Sequence, residues 1–143
     1  MTSSDNKDPA KLAIALAQLN PHLGNVKSNT EKLITAHAKA ANLGADILVT
    51  PEMYLAGYPC DDLVYRSDFM AEIEAALTDI ATYTTSDMPA IIIGAPRRQV
   101  GVLYNSLFVL DEGRICYHYD KMNLPNYGVF DDKRNFEAGH GTG

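Results

Sequence analysis

Three short apolar runs, at residues 11–18, 45–50 and 89–94, alternate with two stretches of helical periodicity. That alternation limits the chain to few folds, because strands joined through helices lie parallel and cross over right-handedly. Ala and Leu in the first run would permit a helix, but its shortness and the nearby Pro21 favour a buried strand. Asn25 is placed to cap a helix carrying Val26, Leu33, Ile34, Ala40 and Ala41 on one side, and Gly44 to end it. A short helical turn is expected over 61–65. Ser67 then stands where it would cap a second helix, with Phe69, Met70, Ile73, Leu77 and Ile80 at helical spacing. Past residue 94 the pattern changes. Residues 102–110 and 114–119 flank Asp111-Glu112-Gly113, a hairpin signal with Gly at a positive-φ position, and a second hairpin is expected at Gln99-Val100-Gly101. The order is βαβα followed by an antiparallel pair, an α/β unit with a mixed sheet.

The length of 143 residues suits one domain or part of one, and 46% hydrophobic residues are enough for a core. A net charge of −6 with scattered basic residues argues against nucleic acid as a partner. The longest basic cluster, Arg97-Arg98, reads as a solvated strand end. Residues 1–10 are polar, lack the apolar core of a signal peptide and are expected to be a disordered tail. No run approaches the roughly 20 apolar residues of a membrane helix. Cys60 and Cys116 do not make a disulfide framework, so a cytoplasmic protein with free thiols is the simplest expectation. The stretch 139–143 suits a loop or a frayed end.

Two ionisable residues stand at expected strand ends, each followed by a loop rich in Pro, Gly and Tyr. Glu52 follows Thr50-Pro51, and Pro51 biases Thr50 toward an extended backbone. Ligands favour the carboxyl ends of parallel strands. Beside Met53, Tyr54 and Leu55, Glu52 is expected to be partly desolvated and able to accept a proton near neutral pH. Its plainer reading is a solvated loop carboxylate or an ion-pair partner. Lys121 ends a strand in which Tyr117, Tyr119 and Lys121 alternate onto one face. An ammonium there would stabilise an oxyanion or favour a thiolate. Its plainer reading is a lysine that lays its stem on the sheet and its charge in water.

The stretch Lys121-Met-Asn-Leu-Pro-Asn-Tyr-Gly-Val-Phe130, together with Pro51-Glu-Met-Tyr-Leu-Ala-Gly-Tyr-Pro59, resembles the nitrilase-like carbon–nitrogen hydrolases. Within that family the likeness is greatest to the glutaminase domain of glutamine-dependent NAD synthetases. The resemblance implies the N-terminal half of an αββα sandwich, with residues 11–143 forming a partial domain that stops before the nucleophilic Cys. It assigns Glu52 as base and Lys121 as oxyanion partner in a Glu–Lys–Cys triad, and places Tyr127 in the glutamine pocket. Tyr58 and Phe130 are further candidates to line that pocket, with core packing as the alternative for each Tyr. Asp131-Asp132-Lys-Arg-Asn-Phe136 departs from the family's Asp-Glu-Lys-Arg-Tyr-Phe. Asp132 therefore keeps the charge of a supporting carboxylate on a stem one methylene shorter, and Asn135 replaces an aromatic. A shift of about 1 Å in such a site can cost about a hundredfold in rate.

Cys60 precedes Asp61 and Asp62, which disfavour a thiolate, and Cys116 faces away from Lys121 by strand parity. Both read as structural. His22, His37, His118 and His140 lack metal-ligand spacing, and no phosphate loop follows a strand. The resemblance implies glutamine as substrate and no cofactor for the glutaminase step. ATP and deamido-NAD belong to a synthetase domain elsewhere in the parent chain, and the full protein is expected to be a homo-oligomer. Two alternatives remain: a non-catalytic partner-binding or degenerate piece, and a hydrolase for another amide, nitrile or carbamoyl compound.

Overall fold

A computed structural model describes residues 10–141. Nine-tenths of the expected tail, residues 1–9, and the last two residues lie outside the described residues. Five strands form one sheet in chain order: β1 (Ile14–Leu16), β2 (Ile47–Val49), β3 (Ala90–Gln99), β4 (Val102–Asp111) and β5 (Arg114–Asp120). β1, β2 and β3 pair in parallel, and β3–β4 and β4–β5 are antiparallel, so the mixed α/β sheet is as the sequence pattern predicts.

α1 (Val26–Asn42) begins where Asn25 accepts a hydrogen bond from the Ser28 N–H. Leu43 ends it and Gly44 takes the left-handed conformation, φ +76°, that a helix terminus favours. Val26, Leu33 and Ala40 are buried, as periodicity predicts, while Ile34 and Ala41 lie at the edge of the packed side. α2 (Ser67–Ala81) buries Phe69, Met70, Ile73, Leu77 and Ile80. Ser67 does not cap it. The cap position falls on Arg66, and no side chain caps the helix. The expected turn at Asp61–Tyr65 is a 3-10 helix.

Both helices cover the face of the sheet that carries Leu48, Ile91, Ile93, Phe108 and Leu110. Register places Ile14, Ile47, Val49, Ile92, Leu107, Val109, Tyr117 and Tyr119 on the other face, where no element of the described chain lies over them.

β1 and β2 are shorter than the apolar runs that contain them, and β3 is longer. It continues through Pro96 and joins β4 at the predicted Val100–Gly101 turn. Pro96 is tolerated because it faces Asn105, whose carbonyl is engaged on the β5 side by the Lys121 N–H at 2.8 Å. At that pair the β3–β4 ladder requires no donor from residue 96. Arg97 and Arg98 are consequently inside β3 rather than at a solvated end. Arg97 makes a two-pronged pair with Asp120, at 2.9 and 2.6 Å, and Arg98 donates to the Val64 carbonyl. Burial pushes the Asp120 carboxyl up, but Arg97 and Ser106 outweigh it and hold the carboxyl below its ordinary value.

Candidate active site

Glu52 reaches its place by crossing β3. The chain leaving β2 runs over Gly94, where an added Cβ would lie 2.5 Å from the Met53 nitrogen and 2.8 Å from the Pro51 carbonyl oxygen. A residue without a side chain is therefore needed beneath the crossing. Met53 adopts φ +52°, and the Leu55 N–H donates to the Gly94 carbonyl at 3.1 Å. Met53, Tyr54 and Leu55 then enter the core and are fully buried. They anchor the turn instead of walling Glu52, whose side chain is 47% exposed. Met53, Tyr54 and Leu55 are packed in the core, and the groups bonded to the half-exposed Glu52 carboxylate are Asn105 and Lys121.

Asn29 on α1 completes the anchor. Its Nδ2 donates to the Leu55 and His22 carbonyls, its Oδ1 accepts from the His22 N–H, and its own carbonyl accepts from the Tyr54 hydroxyl.

Lys121 follows directly on β5 and meets Glu52 across 69 residues of sequence, Nζ to Oε1 2.8 Å. The same Nζ donates to Asp132 Oδ2 at 2.9 Å. Asp132 opens the short helix α3 (Asp132–Asn135), and its side chain is 2% exposed. The Tyr58 hydroxyl donates to Asp132 Oδ1 at 3.0 Å. Burial lowers the Lys121 pKa, but hydrogen bonds to Glu52 and Asp132 and their charges outweigh it and hold the ammonium above its ordinary value. The Tyr58 hydroxyl is pushed up to about 12 by burial, by its bond to Asp132 and by the nearby carboxylates, partly offset by Lys121.

Lys121 borders two cavities. One of about 320 Å³ is walled by Val49, Ile92, Leu107 and Tyr119 and also bordered by Glu52 and Asn105. The other, about 920 Å³, is lined by Leu124, Pro125, Tyr127 and Phe136. Of the predicted site residues, Glu52, Lys121, Asp132 and Tyr58 form one hydrogen-bonded group. Tyr127 stands in the larger cavity, mostly exposed, with Phe130 edge-on at 5.9 Å. Phe130 does not line that cavity.

Three contributors escaped the sequence reading. Asn105 donates to Glu52 Oε1 at 2.6 Å, Gly94 permits the crossing and Asn29 anchors the turn. The signals available were a polar residue inside an apolar strand, a glycine in a β-branched run and a polar residue on a buried helix side.

Neither cysteine borders the Glu52 cavity. Cys60 is buried, which pushes its thiol up to about 12. Cys116 is not packed as a core residue: it is exposed, and its Sγ donates to the Asp111 carbonyl at 3.4 Å. It lies near the irregularity in the β4–β5 pairing between Val109 and Leu110, which disturbs simple strand parity. Among the described residues no group of three or more His, Cys, Asp or Glu is placed to hold a metal, and no helix is long and apolar enough to cross a membrane.

An ammonium shared by two carboxylates, at the ends of strands beside an open cavity, is equipped to move protons and to stabilise negative charge on a small substrate. The chain belongs to the carbon–nitrogen hydrolase family, which it matches over residues 13–142. Among its relatives, the glutamine-dependent NAD(+) synthetase of Thermotoga maritima is 40% identical over 129 residues, 90% of this chain and 22% of that protein. The Xanthomonas campestris pv. campestris enzyme of the same description is 42% identical over 128 residues, 89% of this chain and 23% of that protein. The solved glutamine-dependent NAD+ synthetase from Acinetobacter baumannii, in complex with ADP, has a TM-score of 0.83 at 36% identity, covering 90% of this chain and 24% of that chain. An amidase from Nesterenkonia sp. shares the fold, with a TM-score of 0.78 at 24% identity, over 91% of this chain and 49% of its own. The chain thus spans less than a quarter of the length of the synthetases it matches.

Proposed function

We propose that this chain supplies the Glu and Lys of a glutamine amide hydrolase that feeds ammonia to NAD synthesis. The observation that carries the reading is the 2.8 Å contact between Glu52 and Lys121 at the mouth of the 320 Å³ cavity. The relatives that share these segments are described as glutamine-dependent NAD(+) synthetases. The nucleophilic thiol comes from sequence outside these 143 residues, since Cys60 is buried and Cys116 stands apart.

Glu52 takes the thiol proton, and the thiolate forms a C–S bond to the glutamine side-chain amide carbon. The displaced C=O electron pair resides on oxygen beside the Lys121 ammonium. As that pair returns, the C–N bond breaks, and the nitrogen leaves as ammonia with the proton Glu52 carried. Glu52 then takes a proton from water, which cleaves the thioester to glutamate and restores the thiol. Asp132 and Tyr58 hold Lys121 in place, and Tyr127, with Phe130 behind it, forms one wall of the substrate's approach. The hydrolysis uses no cofactor. ATP and deamido-NAD act in a synthetase domain of the longer protein, whose ADP-bound counterpart is the Acinetobacter baumannii structure. We place that protein in the cytoplasm as a homo-oligomer.

The experiment is glutamine-dependent ammonia release, measured for this chain and for the longer protein. No release is expected from the 143 residues alone. Release by the longer protein should fall by about 10²–10⁴-fold in Glu52→Gln, the range of a lost general base. Full activity in that variant, or robust release by the short chain that vanishes in Cys116→Ala, would sink the reading.

A further inference from the structure

Glu52 is held by one of its two carboxylate oxygens. Asn105 Nδ2 donates to Oε1 at 2.6 Å, and Lys121 Nζ donates to the same atom at 2.8 Å. Among the described residues no donor engages Oε2, and the side chain borders the 320 Å³ cavity. Asn105 is itself 3% exposed, in the interior of β4, paired with Pro96 on one side and bonded to the Lys121 backbone on the other.

We propose that Asn105 is a positioning residue for Glu52, which fixes Oε1 and thereby makes Oε2 the atom that accepts the proton. The inference rests on the reading of Glu52 as the base. Lys121 cannot set this geometry alone. Its ammonium is a point charge on a flexible stem, and it also serves Asp132 and the reacting oxygen. Asn105 adds a second donor from a planar amide on a fixed strand, so the two bonds together orient the carboxylate plane. A neutral donor does this without placing another cation beside the base. The arrangement also survives the proton transfer. With a proton on Oε2, Oε1 becomes the carbonyl oxygen of a carboxylic acid and still accepts both bonds. Glu52 can therefore take up and return a proton without moving.

The test reads the 143-residue chain, labelled with ¹³C and ¹⁵N, by NMR in solution, or under magic-angle spinning where it associates. The Asn105 side-chain amide signals should shift as the Glu52 carboxyl titrates, and Glu52→Gln should abolish that shift. Asn105→Ala, and Asn105→Asp which removes the donor at constant volume, should release Glu52 from a single rotamer into averaging, while Asp132 and Tyr58 keep their signals. Asn105 signals blind to the Glu52 titration, or a Glu52 that stays in one rotamer in both variants, overturn the proposal. Where either variant unfolds, the comparison of the parent chain with Glu52→Gln decides alone. Failure of glutamine hydrolysis in the longer protein would leave these signals unchanged, so the two readings fail separately.

Discussion

On its helix side the sheet buries Leu48, Ile91, Ile93, Phe108 and Leu110 to 7% exposure or less, whereas on the other side Leu16 is 72% and Leu107 36% exposed. The same strands supply both sets by simple alternation. Composition does not separate the faces, since each is made of Leu, Ile, Val and aromatics. What separates them is cover: two helices lie over one face, while among the described residues the other is crossed by the loop at residues 51–53, above Gly94, and carries no helix. The site stands at the margin of the open face, with Glu52, Asn105 and Lys121 beside Val49, Ile92, Leu107 and Tyr119. The buried core in this chain therefore lies on one side of the sheet and the proposed site on the other.

The sharpest test of that division is a pair of leucine truncations on the two faces of β4. Leu110→Ala, fully buried, should cost about 2–5 kcal/mol, a large share of the about 5–15 kcal/mol a domain has. Leu107→Ala on the open face should cost about 0.5 kcal/mol or less in urea unfolding. Equal losses would mean that the second face is also covered in solution.

The two carboxylates on Lys121 should divide in the same way. Asp132→Asn disturbs a buried group bonded to both Lys121 and Tyr58 and should cost about 1–3 kcal/mol. Glu52→Gln, nearly half exposed, should cost under about 1 kcal/mol. A larger loss for Glu52 would recast it as a structural ion pair.

The open apolar face should make the chain associate as concentration rises, because exposed apolar patches beyond a few hundred Å² mark interaction surfaces or aggregation liabilities. Size-exclusion chromatography should show a shift toward monomer in Leu107→Lys and Leu16→Lys. A clean monomer with a sharp melt in the parent chain would refute an uncovered face.

The smallest effect is expected in acid. The Asp120 carboxyl is held below its ordinary 3.8, so its contribution to stability is present above that value and is lost as pH falls through the lower, folded-state value. Asp120→Asn should flatten the part of the acid-unfolding curve below about pH 4 that this pair contributes. The Arg97–Asp120 pair fixes the β5 end next to Lys121, so an unchanged curve would remove it as a support of the site.

Much of this was legible in the sequence. The alternation of apolar runs and helical stretches predicts parallel strands followed by an antiparallel pair, and the family resemblance carried by the two loop motifs implies that Glu52 and Lys121 meet. Their local surroundings were harder to read. Pro96 suggests the end of a strand, yet it is accommodated because Asn105 turns its carbonyl toward β5, a fact about a neighbouring strand. Asn105 looks like an ordinary polar position within Val102–Asp111 until the crossing over β3 brings Glu52 to it. Arg97 looks solvated until β5 places Asp120 opposite. In each case the deciding partner is distant in sequence, and local pattern carries no record of it.

Gly94 has a practical consequence for anyone moving this site to another protein. The loop 51–57 cannot be transplanted as a self-contained cassette. It needs a gap in the strand beneath it, which Gly94 supplies, and Gly57 must meet a second close approach, where an added Cβ would lie 2.7 Å from the Leu23 Cα. It also needs a hydrogen-bonding post on a neighbouring helix, which Asn29 supplies. A host scaffold should be chosen first for the side chains it lacks at those contacts, and only then for the ends it offers to the loop.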